Sequence, residues 1–253
     1  MRKAFSSFQW TLAGIAFLLI IWELAARFYG SLIILPGPLP VLKSFWVLIK
    51  TPRFLAALGG SLLRVLGGIA IAVPLGIAAG IAAGLDRRAA AFLRPFFTVI
   101  SATPVMSVIL IAFLFLGSGR TPVFTAFLMV FPVMSANVIE GIKSTDPKLK
   151  ELFAAFRIGA GETLKYLYVP SLVPFIFGGL RSSLSMCWKV VVAAEVLVQP
   201  LRSLGAGMQQ AKAQLETPEL FAWTVATVIA AAATQAAVSL VIRRRGGRRS
   251  GAK

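Results

Sequence analysis

The chain of 253 residues has no histidine, one cysteine and only nine acidic residues. Without histidine it has no imidazole metal ligand and none of the side chains that most readily exchange protons near neutral pH. A lone thiol, Cys187, rules out an intrachain disulfide, and its place beside Trp188 within an apolar run reads as a small buried hydrophobe. The few carboxylates are scattered over loops and the ends of apolar blocks. No carboxylate pair, nucleophile–base set or metal cluster emerges from them, which argues against an integral membrane enzyme. The phosphate-cradling pattern G-x-x-x-x-G-K-[ST] is also missing, so the chain is not expected to hydrolyse ATP. No cofactor and no metal are expected.

What is present is apolar. Hydrophobic residues make up 58% of the chain and charged ones 14%, against about 25% charged in an ordinary soluble domain. Mean hydropathy is +0.84. Several blocks approach the roughly 20 apolar residues that carry a helix across a bilayer. Six spans are expected, at 10–27, 62–85, 96–116, 122–141, 175–197 and 221–242. The first reads as a retained span rather than a cleaved signal. Between the first two, prolines 36, 38 and 40 stop the helix, and the segment after them reads as lying along the interface.

A net charge of +17 on a soluble chain would suggest nucleic acid, but here the basic residues cluster between and beyond the apolar blocks. That distribution reads as membrane topology, with no nucleic-acid partner. Sixteen Lys and Arg residues fall on the side of the two termini and seven on the other. Both termini are therefore expected in the cytoplasm, with 1–9 as a cytoplasmic N-terminus and 243–253 as a basic tail drawn to anionic lipid headgroups.

The longest internal loop on that side, 145–174, has an ordered grammar. Thr145 or Asp146 can cap a helix, Pro147 suits its first position, and Gly159 and Gly161 read as its stop, with positive φ expected at Gly159. Leu149, Leu152, Phe153 and Phe156 recur at helical spacing and form one apolar stripe. Left in water such a ridge is expensive, since burying each large side chain is worth about 1.5–3 kcal/mol. It packs either on the protein's own bundle or in a partner's groove. Pro170 and Pro174 then lead into the fifth span.

Charges inside spans are functional candidates by default. Glu23, Arg64, Glu140 and Arg181 lie near span ends and read as structural. Lys189 falls near the middle of the fifth span, on a helical face with Gly178, Ser182, Ser185 and Ala193. The face is either a packing seam or the wall of an aqueous path. A cation at mid-membrane favours the path and requires water, an anionic solute or a carboxylate, for which Glu195 is the candidate. A second stripe, Gly68, Ala72, Gly76, Gly80 and Gly84, reads as a groove for a neighbouring helix of the same subunit.

The order Ala154-Ala155, Gly159-Ala160, Val169-Pro170 and Pro174 resembles the EAA loop of bacterial ABC-importer permeases. LPGPLPVL near Leu35, SLLRVLGGIAIAVPLGI from Ser61 and WKVVVAAE from Trp188 are similar to the aliphatic sulfonate, taurine and nitrate branch. Phe153 stands where that family's leading glutamate is usual, with Glu151 two residues earlier. The resemblance implies an all-α integral membrane protein of about six helices, a single permease domain over 1–253 with the type I importer fold and a cytoplasmic coupling helix. It implies a multi-pass protein of the bacterial inner membrane that moves a small solute inward by alternating access, such as a sulfonate or nitrate anion. Its implied partners are cytoplasmic ATP-binding-cassette subunits, an extracytoplasmic solute-binding protein and a second permease copy forming a homodimer. ATPase docking would fall to Leu149, Leu152, Phe153, Ala154, Ala155, Phe156, Gly159 and Ala160, and the translocation path to Ser182, Ser185, Lys189 and Glu195. A passive channel or scaffold would keep the spans but has no need of such a loop.

Overall fold

A computed structural model describes the backbone of residues 2–250 and the side chains of residues 9–240. The side chains of the expected basic tail and of the first eight residues lie outside what is described. Among the described residues the chain is helical and has no strand. The elements are α1 (Arg2–Tyr29), α2 (Pro38–Leu48), α3 (Pro52–Leu85), α4 (Arg87–Ala102), α5 (Val105–Lys143), α6 (Pro147–Ala155), α7 (Ala160–Thr163), a π-helical turn (Leu164–Tyr168), α8 (Val169–Val198), α9 (Leu204–Ala213) and α10 (Thr217–Ser250).

Local chemistry sets most boundaries. Thr51 accepts a hydrogen bond from the Phe54 amide at the start of α3, Asp86 from Arg88 at α4, Asp146 from Lys148 at α6 and Ser203 from Ala206 at α9. Each satisfies an amide that the first helical turn leaves open. Proline occupies the first turn of α2, α3 and α6, where a missing N–H costs nothing.

Five helical stretches are long and apolar enough to cross a bilayer: Gln9–Tyr29, Pro52–Leu85, Val105–Lys143, Ala160–Val198 and Thr217–Leu240. The third of these, α5, is not one rod. Gly117 breaks it with φ 68° and ψ 176°, an arrangement open to glycine. The rings of Phe97 and Phe131 lie 5.6 Å apart, and Val108 shares a buried cluster with Met129. An unbroken helix would hold Val108 and Met129 about 30 Å apart at 1.5 Å per residue. The chain therefore turns back at Gly117. The third expected span, 96–116, for which a bend at Pro104 is expected, is α4 followed by the first limb of α5, interrupted where Thr103 is extended and Pro104 has no N–H to donate.

The core is built from α3, α5 and α8, with Trp188 and Trp223 as its largest fully buried side chains. The small-residue stripe of α3 packs on α5 within the same subunit, as its spacing predicts. A Cβ at Gly76 would come within 2.7 Å of Met134, and one at Gly80 within 2.6 Å of Val138. The close approach lets the Ser135 hydroxyl donate to the Gly76 carbonyl at 3.1 Å. From Gln9 onward α1 is largely exposed. It is tied to the rest by Trp22, which donates to the Pro36 carbonyl at 2.9 Å and stacks on Phe221 at 5.8 Å. The short α2 packs against α10 and is too short to span.

Candidate functional site

The loop at one end of the bundle begins as its residues predict. Asp146 is the N-cap and Pro147 opens α6, while Thr145 turns inward to donate to the Gly141 carbonyl at 3.2 Å. Lys150 reaches back with Nζ to the Ile142 carbonyl at 3.2 Å, joining α6 to the end of α5. The stop is where expectation and structure part. Arg157, not Gly159, adopts the left-handed conformation, at φ 50°.

The bonds that close α6 show why. The Ile158 amide donates to Phe153 at 3.1 Å and the Arg157 amide to Ala154 at 3.0 Å, the two bonds of a Schellman stop. Phe153 and Ile158 then line one small pocket, supplying the apolar contact that accompanies that motif. Gly159 has φ −59° and ψ 152°, an extended residue capping α7, and a Cβ there would meet nothing within 4 Å. The positive φ expected of it is corrected accordingly.

Closing the helix this way splits the stripe. Phe153 is half-buried in the stop, whereas Leu149 is 43%, Leu152 48% and Phe156 72% exposed. Ala154, Ala155, Gly159 and Ala160 are exposed beside them. Three large apolar side chains, two on α6 and Phe156 at its C-cap, thus stand where the bundle leaves them uncovered. Beyond α7 the helix widens to a π turn, with the Val169 amide reaching the Leu164 carbonyl. Pro170 cannot donate to the carbonyl four residues back, so a regular α-turn would lose a bond here.

The second candidate is the α8 face. Gly178, Ser182 and Lys189 are exposed and Ser185 and Ala193 half-buried, so the face is open rather than packed against the subunit's own helices. Ser185, Lys189 and Val192 line a groove of about 540 Å³ shared with Thr224, Thr227 and Gln235 of α10 and Met208 of α9. Its floor is held by Trp188, whose Nε1 donates to Thr234 at 2.8 Å. Among the described residues no carboxylate lies within 4 Å of Lys189.

Glu195 does not join that face. It is 0% exposed and turned to α3, where its carboxylate accepts from Ser61 Oγ at 2.9 and 2.7 Å, from Arg64 Nη1 at 3.0 Å and from the Gly205 amide at 3.2 Å. The expectation that it faces Lys189 is corrected: burial requires a partner for a carboxylate, and Arg64 is that partner. Arg64, read from sequence as a span-end charge, has its second role in the same cluster, donating to the carbonyls of Leu201 at 2.9 Å and Arg202 at 3.2 Å. Sequence reasoning missed this cluster. The available signal was two unexplained intramembrane charges of opposite sign on different spans.

Comparison with known proteins agrees with this architecture. Residues 72–245 match the family described as binding-protein-dependent transport system inner membrane component. A probable ABC transporter permease protein of Brucella melitensis is 33% identical over 192 residues, covering 75% of this chain and 77% of its own. A riboflavin transport system permease protein of Chloroflexus aurantiacus is 29% identical over 225 residues, covering 87% and 84%. A nitrate import permease protein of a Synechocystis species is 29% identical over 195 residues, covering 73% and 70%.

Proposed function

The chain belongs to the family of binding-protein-dependent transport inner membrane components and is the permease subunit of an ABC importer; from that premise we propose how its two exposed features divide the work. Such a subunit works with an ATPase and a substrate-binding protein. The end bearing α6, with both termini, is assigned to the cytoplasmic side, a reading that the excess of Lys and Arg there supports. α6 docks in a groove of the ATPase through Leu149, Leu152 and Phe156, with Ala154, Ala155, Gly159 and Ala160 at the rim. Phe153 braces the helix from behind instead of reaching the partner, which explains why a phenylalanine serves where a glutamate is usual.

The observation that carries this reading is the exposure of Phe156, 72% at the C-cap of a helix outside the membrane-spanning stretches. A large ring so placed has a partner to cover it. Movement of α6 passes through the α7–π-turn segment into α8 with little slack, because the helical stretch from Ala160 to Val198 is continuous. It also passes into α5 through Lys150.

The open face of α8, with Ser182, Ser185 and Lys189, forms half of the translocation path, completed by the same face of a second copy. Glu195 supports that face from behind and does not line it. An unpaired cation in a groove with hydroxyl and amide neighbours suits an anionic solute, such as nitrate or a sulfonate. Lipid covers α1 and the outer faces of the other spans. The reading is tested by purifying the chain in detergent with its ATPase. Stoichiometric association that Phe156→Asp removes supports it; association unchanged by that substitution refutes the docking role.

A further inference from the structure

The most heavily tied segment of the chain is neither the α6 loop nor the α8 face but the turn from α8 to α9. Gln199 (φ 44°) and Arg202 (φ 54°) are both left-handed, a conformation that residues other than glycine keep only when their surroundings hold them. The surroundings are explicit. Arg64 clamps the Leu201 and Arg202 carbonyls, Ser61 Oγ accepts from the Leu204 amide at 2.9 Å, and Glu195 accepts from Gly205. At Gly205 a Cβ would come within 2.5 Å of the Glu195 Cβ, so the start of α9 is drawn directly onto α8.

With its backbone held inward, the turn projects its side chains outward. Leu201 is 89% exposed and Arg202 is exposed beside it. Next to them opens a cleft of about 800 Å³ lined by Arg53, Gln199, Arg202, Gln209 and Gln210, with no carboxylate in its wall. Arg53 is oriented by a hydrogen bond to Gln210 Oε1 at 2.5 Å. The cleft lies on a different face of α9 from the Lys189 groove, since Met208 faces the groove while Gln209 and Gln210 face the cleft. It is therefore separate from the Lys189 groove.

We propose that this clamped turn and its basic cleft are the docking site for the solute-binding protein, which places a carboxylate on Arg202 and Arg53 and an apolar side chain over Leu201. The inference rests on the permease reading and its orientation, in which this end is extracytoplasmic. Charge complementarity selects the occupant: Arg27, Lys43, Lys50, Arg53, Arg120, Arg202 and Lys212 outnumber Glu23, Glu216 and Glu219 at this end, so the fitting partner is an acidic protein surface. The buried Glu195–Arg64–Ser61 cluster acts as a positioning device, fixing the turn before the partner arrives.

The test uses the permease–ATPase complex in lipid nanodiscs and, as probe, the solute-binding protein of the same transport system. Leu201→Asp combined with Arg202→Glu is expected to weaken binding of the probe at least tenfold, most at low salt, while the ATPase remains bound. Arg202→Gln alone gives a smaller loss and guards against misfolding, and reversing an acidic residue on the probe restores affinity to the Arg202→Glu complex. Unchanged affinity in the double variant overturns the proposal. So does unchanged affinity with lost uptake, which assigns the turn to gating. Failure of the unaltered chain to bind an ATPase would overturn the permease reading itself.

Discussion

The two ends of α8 are built on opposite principles. At the end near Val198 the connecting turn has its carbonyls and amides taken by half-buried Arg64 and by buried Ser61 and Glu195, and the chain is locked to α3 and α9. At the end near Val169 a π turn and α7 connect to the short α6, at whose C-cap Phe156 is largely uncovered by its own subunit. The difference teaches where this molecule stores rigidity and where it leaves surface. A buried ion pair is a poor source of net stability but a strong specifier of geometry once both partners are present. An uncovered apolar helix does the reverse, contributing nothing to its own subunit's stability until a partner buries it.

Substitutions at each end sharpen the contrast. The largest effect is expected for Glu195→Ala, which leaves the Arg64 guanidinium in the bundle without its carboxylate and should cost about 3–5 kcal/mol. Thermal unfolding of the detergent-purified chain measures it, and Glu195→Met with Arg64→Met together should recover part of the loss. An equal melting temperature for Glu195→Ala would mean that the outer turn is held by something else.

Phe156→Asp is next, with the opposite signature: the melting temperature of the isolated chain stays within the range of surface substitutions, about 0.5 kcal/mol, while ATPase association and uptake are lost. A destabilised but still associating variant would erase the distinction between the two ends. Lys189→Met, between them, should reduce uptake about tenfold or more and leave assembly intact. Loss of the folded complex would instead make Lys189 a packing residue.

The smallest effects lie in the α6 stop. Arg157→Gly should stabilise by about 1 kcal/mol, because glycine accepts the left-handed conformation without a Cβ penalty. Gly159→Val, which sequence spacing alone marks as an uncoupling change, should be nearly silent, since Gly159 is extended and has open space where a Cβ would go. Coupled transport measured in both variants decides between the two stops.

These cases also show how far the residues could be read. The start of α6 was legible because Asp146 and Pro147 act through bonds one or two residues away. Its end was not, because the left-handed position fell on Arg157, chosen by the contact between Phe153 and Ile158 and not by the nearest glycine. The reversal at Gly117 followed from the expected third and fourth spans, and the break at Thr103–Pro104 inside the third fell at the proline expected to bend it.

Hydropathy and capping residues were enough to establish a polytopic helical protein and most of its helix starts, since each of those acts within one helix or against bulk lipid and water. Partnership across the bundle was beyond their reach. Glu195 and Arg64 stand 131 residues apart, and nothing in either neighbourhood names the other. The packing of α3 on α8 brings them together, turning Glu195 away from Lys189 and leaving that lysine alone on the open face.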